Sequence, residues 1–203
     1  MWALAALFLF LSSCVFGPGN FQSSHSTDLE SRKIKRIAIL PATGFSAKAK
    51  GSQSDPTWIL TQQLYSTMSA LPNWQIVADR EVNEVAAQLG QGTDGTRAKR
   101  LGELVYADAV LSGRVLRYRE REGEELGVKN PASVAFILEL WDVRRGDIIW
   151  SARFDETQKP LSENIFAIGE FARRGARWLS AEELMHEGVK KAVQQLHKVL
   201  YGA

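Results

Sequence analysis

Two β-rich runs joined by a short polar turn constrain this fold more than any other stretch. Ser133-Val-Ala-Phe-Ile-Leu-Glu-Leu-Trp-Asp-Val143 and Ile148-Ile-Trp-Ser-Ala-Arg-Phe-Asp155 flank Arg144-Arg-Gly-Asp147, a pattern that reads as an antiparallel hairpin. Successive side chains of a strand point to opposite faces, so Ile148, Trp150, Ala152 and Phe154 are expected on one face.

Upstream of the hairpin, helical and extended patterns alternate. Ile34-Lys-Arg-Ile-Ala-Ile-Leu-Pro41 reads as a first strand stopped by proline. Asp55-Pro56 has the form of an N-cap followed by proline in the first turn, with Ile59, Leu60, Gln63, Leu64 and Met68 at helical spacing. Trp74–Val77 predicts a second strand. Asp79 is expected to cap a helix carrying Val82, Val85, Ala86 and Leu89 up to Gly90, and a further helix is expected over Thr96–Ala107. Ala109–Tyr118 follows as a strand, and the mixed-charge run Arg117–Glu125 reads as a solvated loop. Ser180-Ala-Glu-Glu183 is a capping box. Behind it, Met185, Val189, Ala192, Val193, Leu196, Val199 and Leu200 make one apolar stripe ending at Gly202. The expected fold class is α/β (α+β), a single domain with a mixed sheet, a late antiparallel hairpin, covering helices and a C-terminal amphipathic helix.

The amino-terminal stretch sets the expected location. The apolar run Trp2–Leu11 is about half the roughly 20 residues a membrane-spanning helix needs, which fits a signal-peptide core. Cys14, the only cysteine among the 203 residues, stands directly behind it. With no second cysteine an internal disulfide is impossible, and alkylation would remove the liability of a free thiol in an oxidising compartment. Leu11-Ser12-Ser13-Cys14 resembles the bacterial lipobox. That resemblance implies cleavage after Ser13 and a diacylglyceryl group on the Cys14 sulfur, and Val15 at the next position implies the outer membrane. No Lys or Arg precedes the apolar run, so the true start is expected several codons upstream.

Residues 15–33 are rich in Ser, Gly and polar groups and lack an apolar period, which reads as a flexible tether. About 20 such residues have a root-mean-square span on the order of 25 Å. The expected organisation is thus a signal peptide over 1–13, the lipidated cysteine and tether over 14–33, and a periplasmic α/β domain over 34–203.

Three stretches resemble the envelope lipoprotein superfamily that includes the curli secretion channel lipoprotein, the Pel exopolysaccharide lipoprotein, the lipoprotein activators of penicillin-binding proteins and the amino-terminal domain of TolB. They are Ile34–Pro41, Leu101-Gly-Glu-Leu-Val-Tyr-Ala-Asp-Ala-Val-Leu-Ser-Gly-Arg-Val115 and Leu140-Trp-Asp-Val-Arg-Arg-Gly-Asp-Ile-Ile-Trp150. After Leu40-Pro41 the family usually has Phe and a nearby Asn, whereas this chain has Ala42-Thr-Gly44. The resemblance implies a lipid-anchored, non-enzymatic assembly or accessory module in export, secretion or cell-wall synthesis. A subunit of a ring-shaped conduit is the alternative, and an envelope hydrolase a third.

Composition narrows the partners. Hydrophobic residues make up 45% and charged residues 24%, values of a globular chain rather than a disordered or membrane-embedded one. A formal charge of +2 leaves no electrostatic footprint for nucleic acid. Gly90-Gln-Gly-Thr-Asp-Gly95 matches a dinucleotide fingerprint by letter, but it follows a helix rather than a strand. It reads as a connector, and neither a nucleotide nor any other cofactor is expected.

His25 lies in the expected tether. His186 and His197 are about 16 Å apart along one helix at 1.5 Å per residue, too far for one metal, and both read as solvated. Met185-His-Glu-Gly-Val189 lacks the second histidine of a zinc protease motif. Asp142, Asp147 and Asp155 read as turn and edge residues. No catalytic or metal-binding residue is assigned. The candidate interface is Asn164–Trp178, where Ile165, Ile168, Ala172 and Leu179 would form a buried stripe. Phe171, Arg173, Arg174, Arg177 and Trp178 are then expected on or near the rim, as aromatic and arginine residues favour interfaces. The expected partners are outer-membrane lipid through acylated Cys14 and an envelope complex or another copy of the chain.

Overall fold

The computed structural model describes residues 20–44, 55–90, 92–123, 128–158 and 177–202. The strands are β1 (Phe21–His25), β2 (Arg36–Ile39), β3 (Thr43–Gly44), β4 (Gln75–Ile76), β5 (Ala109–Arg119), β6 (Glu122–Gly123), β7 (Val128–Asn130), β8 (Ser133–Asp142) and β9 (Ile148–Thr157). The helices are α1 (Pro56–Ser69), α2 (Asp79–Ala86), α3 (Asp94–Leu104) and α4 (Ala181–Tyr201). Among the described residues seven strands form one sheet in the order β1-β9-β8-β5-β2-β4, with β3 also on β5. β2 runs parallel to both β4 and β5, whereas β5, β8, β9 and β1 pair antiparallel. The sheet is mixed and the expected hairpin is β8–β9.

One face of this sheet carries the main core. Ile37 and Ile39 of β2, Leu111 of β5, Phe136, Leu138 and Leu140 of β8, and Trp150 and Phe154 of β9 all point into it. The stripes of α1 (Ile59, Leu60, Leu64, Met68) and α4 (Leu184, Met185, Val189, Val193, Leu196) cover them. α1 starts as its sequence dictates, with the Asp55 carboxylate accepting from Thr57 N at 2.9 Å and Pro56 in the first turn. α4 has the capping box of Ser180 and Glu183 and ends on Gly202 in the left-handed conformation. Gly188 lets α4 approach the sheet, because a Cβ there would lie 2.7 Å from the Phe154 ring. On the opposite face a smaller core of Ala38, Leu40, Val77 and Val110 is covered by Val82 of α2 and by Ala98 and Leu101 of α3.

Several expectations need correction. The stretch assigned to the tether enters the sheet: β1 pairs antiparallel with β9, setting Phe21 opposite Phe154 and His25 opposite Trp150. A 3₁₀ turn over Leu29–Ser31 then buries Leu29 in the main core. Ile148 does not share the Trp150 face. The register shifts between Leu140 and Trp141, so that Ile149 is the extra residue of a bulge and is buried while Ile148 is 42% exposed. α2 uses Ala78 as its N-cap with Asp79 inside the first turn, and it ends at Ala86 rather than Gly90. α3 starts two residues earlier than expected, capped by Thr93, and ends three residues earlier. The start of the expected loop Arg117–Glu125 is the end of β5. At the departure from the family pattern, Gly44 has φ +108°, and a Cβ there would lie 2.1 Å from the Val115 carbonyl oxygen. Glycine is thus required where β3 closes on β5.

Candidate assembly surface

Among the described residues the two faces of the sheet are unequally covered. α2 and α3 lie over β4, β2 and part of β5, so the second face of β8, β9 and β1 carries polar side chains left exposed or half-buried. Ser112 and Arg114 of β5, Ile137 and Glu139 of β8, Ser151 and Arg153 of β9, and Gln22 and Ser24 of β1 lie in cross-strand register there. A second bulge at Leu116 brings Arg117 opposite Ala135, beside Asp155.

Fixed ion pairs organise this polar face. The Asp155 carboxylate accepts from Arg117 and, at 2.7 Å, from Arg153. Burial acts to raise the Asp155 carboxyl, but the two guanidinium groups outweigh it and hold the group below the usual carboxylate range. Arg117 also donates through Nε to the buried Ser133 hydroxyl at 2.6 Å. Arg114 pairs with Asp94 at the start of α3. Burial raises the Glu139 carboxyl against the opposing pull of Arg114. Trp141 completes the row by donating through Nε1 to Ser112 Oγ at 3.0 Å.

At one end of the sheet Arg32, half-buried behind the 3₁₀ turn, ties three elements together. It donates to Asp28 at 2.9 Å, to Asp142 of β8 at 2.7 Å and to Asp147 before β9 at 3.4 Å. Asp28, Asp142 and Asp147 therefore act as structural anions. Asp108 is another, its Oδ2 accepting from Lys35 N and Arg36 N at 2.9 Å each and so fastening β2 beside β5.

The candidate interface is only partly within the described residues. Leu11, Ser12, Ser13, Cys14, Phe171, Arg173 and Arg174, with Ile165, Ile168 and Ala172, lie outside them. Arg177 forms a bidentate pair with Glu183, at 3.0 and 2.6 Å. Trp178 is buried, which corrects its expected place at the rim, and Leu179 is buried as expected. Sequence reasoning missed the bracket beside them. Buried Gln158 donates to Leu179 O at 3.0 Å and accepts from Leu179 N at 3.1 Å, joining the end of β9 to the approach to α4. An amide that mimics a strand partner has no sequence signal beyond its own identity.

Arg177 sets up a pH response. Its hydrogen bonds, helped against burial by the Ser180 backbone N–H, depress the Glu183 carboxyl to about 2. A depressed carboxyl contributes stability that is complete above its unfolded value near 4.5 and is lost as pH falls toward 2. The protection of the first-turn amides of α4, taken against the intrinsic exchange rate at each pH, is therefore expected to fall across that window. In Glu183→Gln that protection should be lower at neutral pH and nearly independent of pH; an unchanged acid transition in the variant would contradict this.

The remaining candidates take structural places. His186 is exposed, but His197 is buried, correcting its expected solvation: its Nε2 lies 2.9 Å from Pro72 O and its ring meets Trp74 edge-on at 5.1 Å. His25 is exposed in β1. Gly95, the last glycine of the fingerprint-like run, lies inside α3, where a Cβ would be 2.7 Å from the Trp141 ring. It serves close packing. Among the described residues no group of three His, Cys, Asp or Glu side chains could hold a metal ion, and no helix is long and apolar enough to cross a membrane.

No protein-family model and no curated protein matches the sequence. Solved structures do match the fold. A single-substitution variant of the PelC dodecamer from Paraburkholderia phytofirmans superimposes with a TM-score of 0.52 at 15% identity, over 88% of this chain and 98% of that one. The chain shares its fold with PelC. A second PelC dodecamer structure from the same organism gives 0.50 at 15% identity, over 87% and 95%. The hypothetical protein CT253 from Chlamydia trachomatis gives 0.50 at 13%, over 84% and 99%. PelC is the Pel lipoprotein of the superfamily that the three sequence stretches resemble, so the match bears out that resemblance at the level of fold.

Proposed function

We propose that this chain is a lipid-anchored module of the outer membrane, facing the periplasm, that associates with further copies of itself and supports export, secretion or cell-wall machinery without catalysing a reaction. The observation that carries this reading is the PelC fold, matched over 88% of the chain, together with the dodecameric state of that protein. The paired charges of the half-covered sheet face suit docking, since each is already held by a partner. The anchor rests on the apolar run and lone cysteine at Cys14. Two or more acyl chains give stable attachment, at about 0.8 kcal/mol for each buried CH₂.

Native mass measurement of the full-length protein in detergent tests self-association. A defined oligomer supports it, a closed ring favours the conduit version, and a monomer removes both. Cys14→Ala is expected to abolish acyl labelling and release the protein from the outer-membrane fraction. Unchanged labelling in that variant would refute the anchor.

A further inference from the structure

Tyr106 occupies a backbone position that stability alone would give to glycine. α3 ends at Leu104 with Val105 as its C-cap, and Tyr106 follows at φ +52°. Ala107 N donates back to Gly102 O at 2.9 Å, which makes this a Schellman ending with Tyr106 at the left-handed position. Glycine suits that conformation because a Cβ strains it. The tyrosine gains little in return from packing, since it is 86% exposed, and Leu104 two residues before it is 57% exposed. A strained backbone presenting a large aromatic to solvent points to a contact made outside the chain.

The opposite end of α3 borders a cleft of complementary chemistry. Pro41, Gly113 and Ile137 are among its walls, and Arg97 and Glu139 also line it. Among the described residues the Arg97 guanidinium finds no carboxylate or carbonyl for its buried Nε, and the Glu139 carboxylate accepts no hydrogen bond. A buried donor without an acceptor is costly. A phenol offers an apolar ring together with one acceptor and one donor, and so answers the walls, Arg97 and Glu139 together.

We infer that Tyr106 of one copy docks into the Arg97–Glu139 cleft of the next, giving a head-to-tail contact between copies of this chain. Knob and cleft lie at the two ends of the same helix, so each copy uses one surface as donor and a different one as receiver. Such a heterologous contact either closes into a ring or continues as a filament. This inference rests on the proposed self-association and specifies its surfaces.

The test compares full-length wild-type, Y106G, Y106F and R97L proteins in detergent by native mass and thermal melting. Y106G is expected to raise the monomer's Tm by about 2–4 °C by relieving the left-handed residue, while weakening association at least tenfold. Y106F, which loses only the hydroxyl, should weaken it less, and R97L should match Y106G. Each of these single variants keeps one intact surface, so a mixture of Y106G and R97L is expected to give 1:1 dimers that grow no further. Wild-type oligomers that persist in Y106G would overturn this contact and leave self-association standing. A monomeric wild type would overturn both.

Discussion

Phe154→Ala is expected to destabilise the protein by about 3–5 kcal/mol, the cost of removing a large aromatic from a core that closes incompletely around the gap. Phe154 is fully buried and stacks on Phe136 with ring centroids 5.3 Å apart. Both rings lie beneath Gly188, where α4 comes closest to the sheet. The Lys191 ammonium sits 5.8 Å from the Phe154 centroid, and Phe21 of β1 stands opposite in register. One truncation thus loosens the hairpin, the edge strand and the C-terminal helix together. Denaturant unfolding measures it: the midpoint should fall with the slope unchanged. A loss below about 1 kcal/mol would mean that α4 settles into the vacated space, contrary to the packing described.

Arg32→Ala is expected to cost about 2–3 kcal/mol, somewhat less than breaking a fully buried pair because water reaches Asp28 and Asp147. The loss arises chiefly at Asp142, whose side chain is 13% exposed and would keep its charge without the cation. Burial acts to raise the Asp142 carboxyl, but the Arg145 and Arg144 backbone N–H groups and Arg32 hold it below its ordinary value of 3.8. A carboxyl depressed on folding contributes stability above its unfolded value, lost as pH falls below it. The gap between wild type and variant should therefore be full at neutral pH and narrow below about pH 4. Urea melts at pH 7 and pH 3 test this, and a gap that widens in acid would refute the assignment.

What the residues revealed followed from how local their signals are. The capping box at Ser180 and Glu183, the Asp55-Pro56 start of α1 and the alternation of Trp150, Ala152 and Phe154 in β9 depend on neighbours within a few positions, and each appears in the structure. β1 was illegible because Phe21-Gln-Ser-Ser-His25 has no alternation. Its backbone is ordered by β9, about 130 residues later, and its side chains contribute little beyond Phe21. A period-two pattern misplaces Ile148 because one bulge inverts it. The burial of His197 has no local signal, because its partners, Pro72 and Trp74, are distant in sequence. Tyr106 stood inside a quoted family motif, yet only the backbone angle gives it meaning.

The early entry of β1 into the sheet shortens the leash of the proposed anchor. Six residues, 15–20, separate Cys14 from Phe21, and even fully extended they let the first strand stand no more than about 25 Å from the acylated sulfur. The protein would then skim the inner surface of the outer membrane. If the anchor holds, β1 would sit close to the lipid headgroups, and only the far side of the domain would face outward across the periplasm.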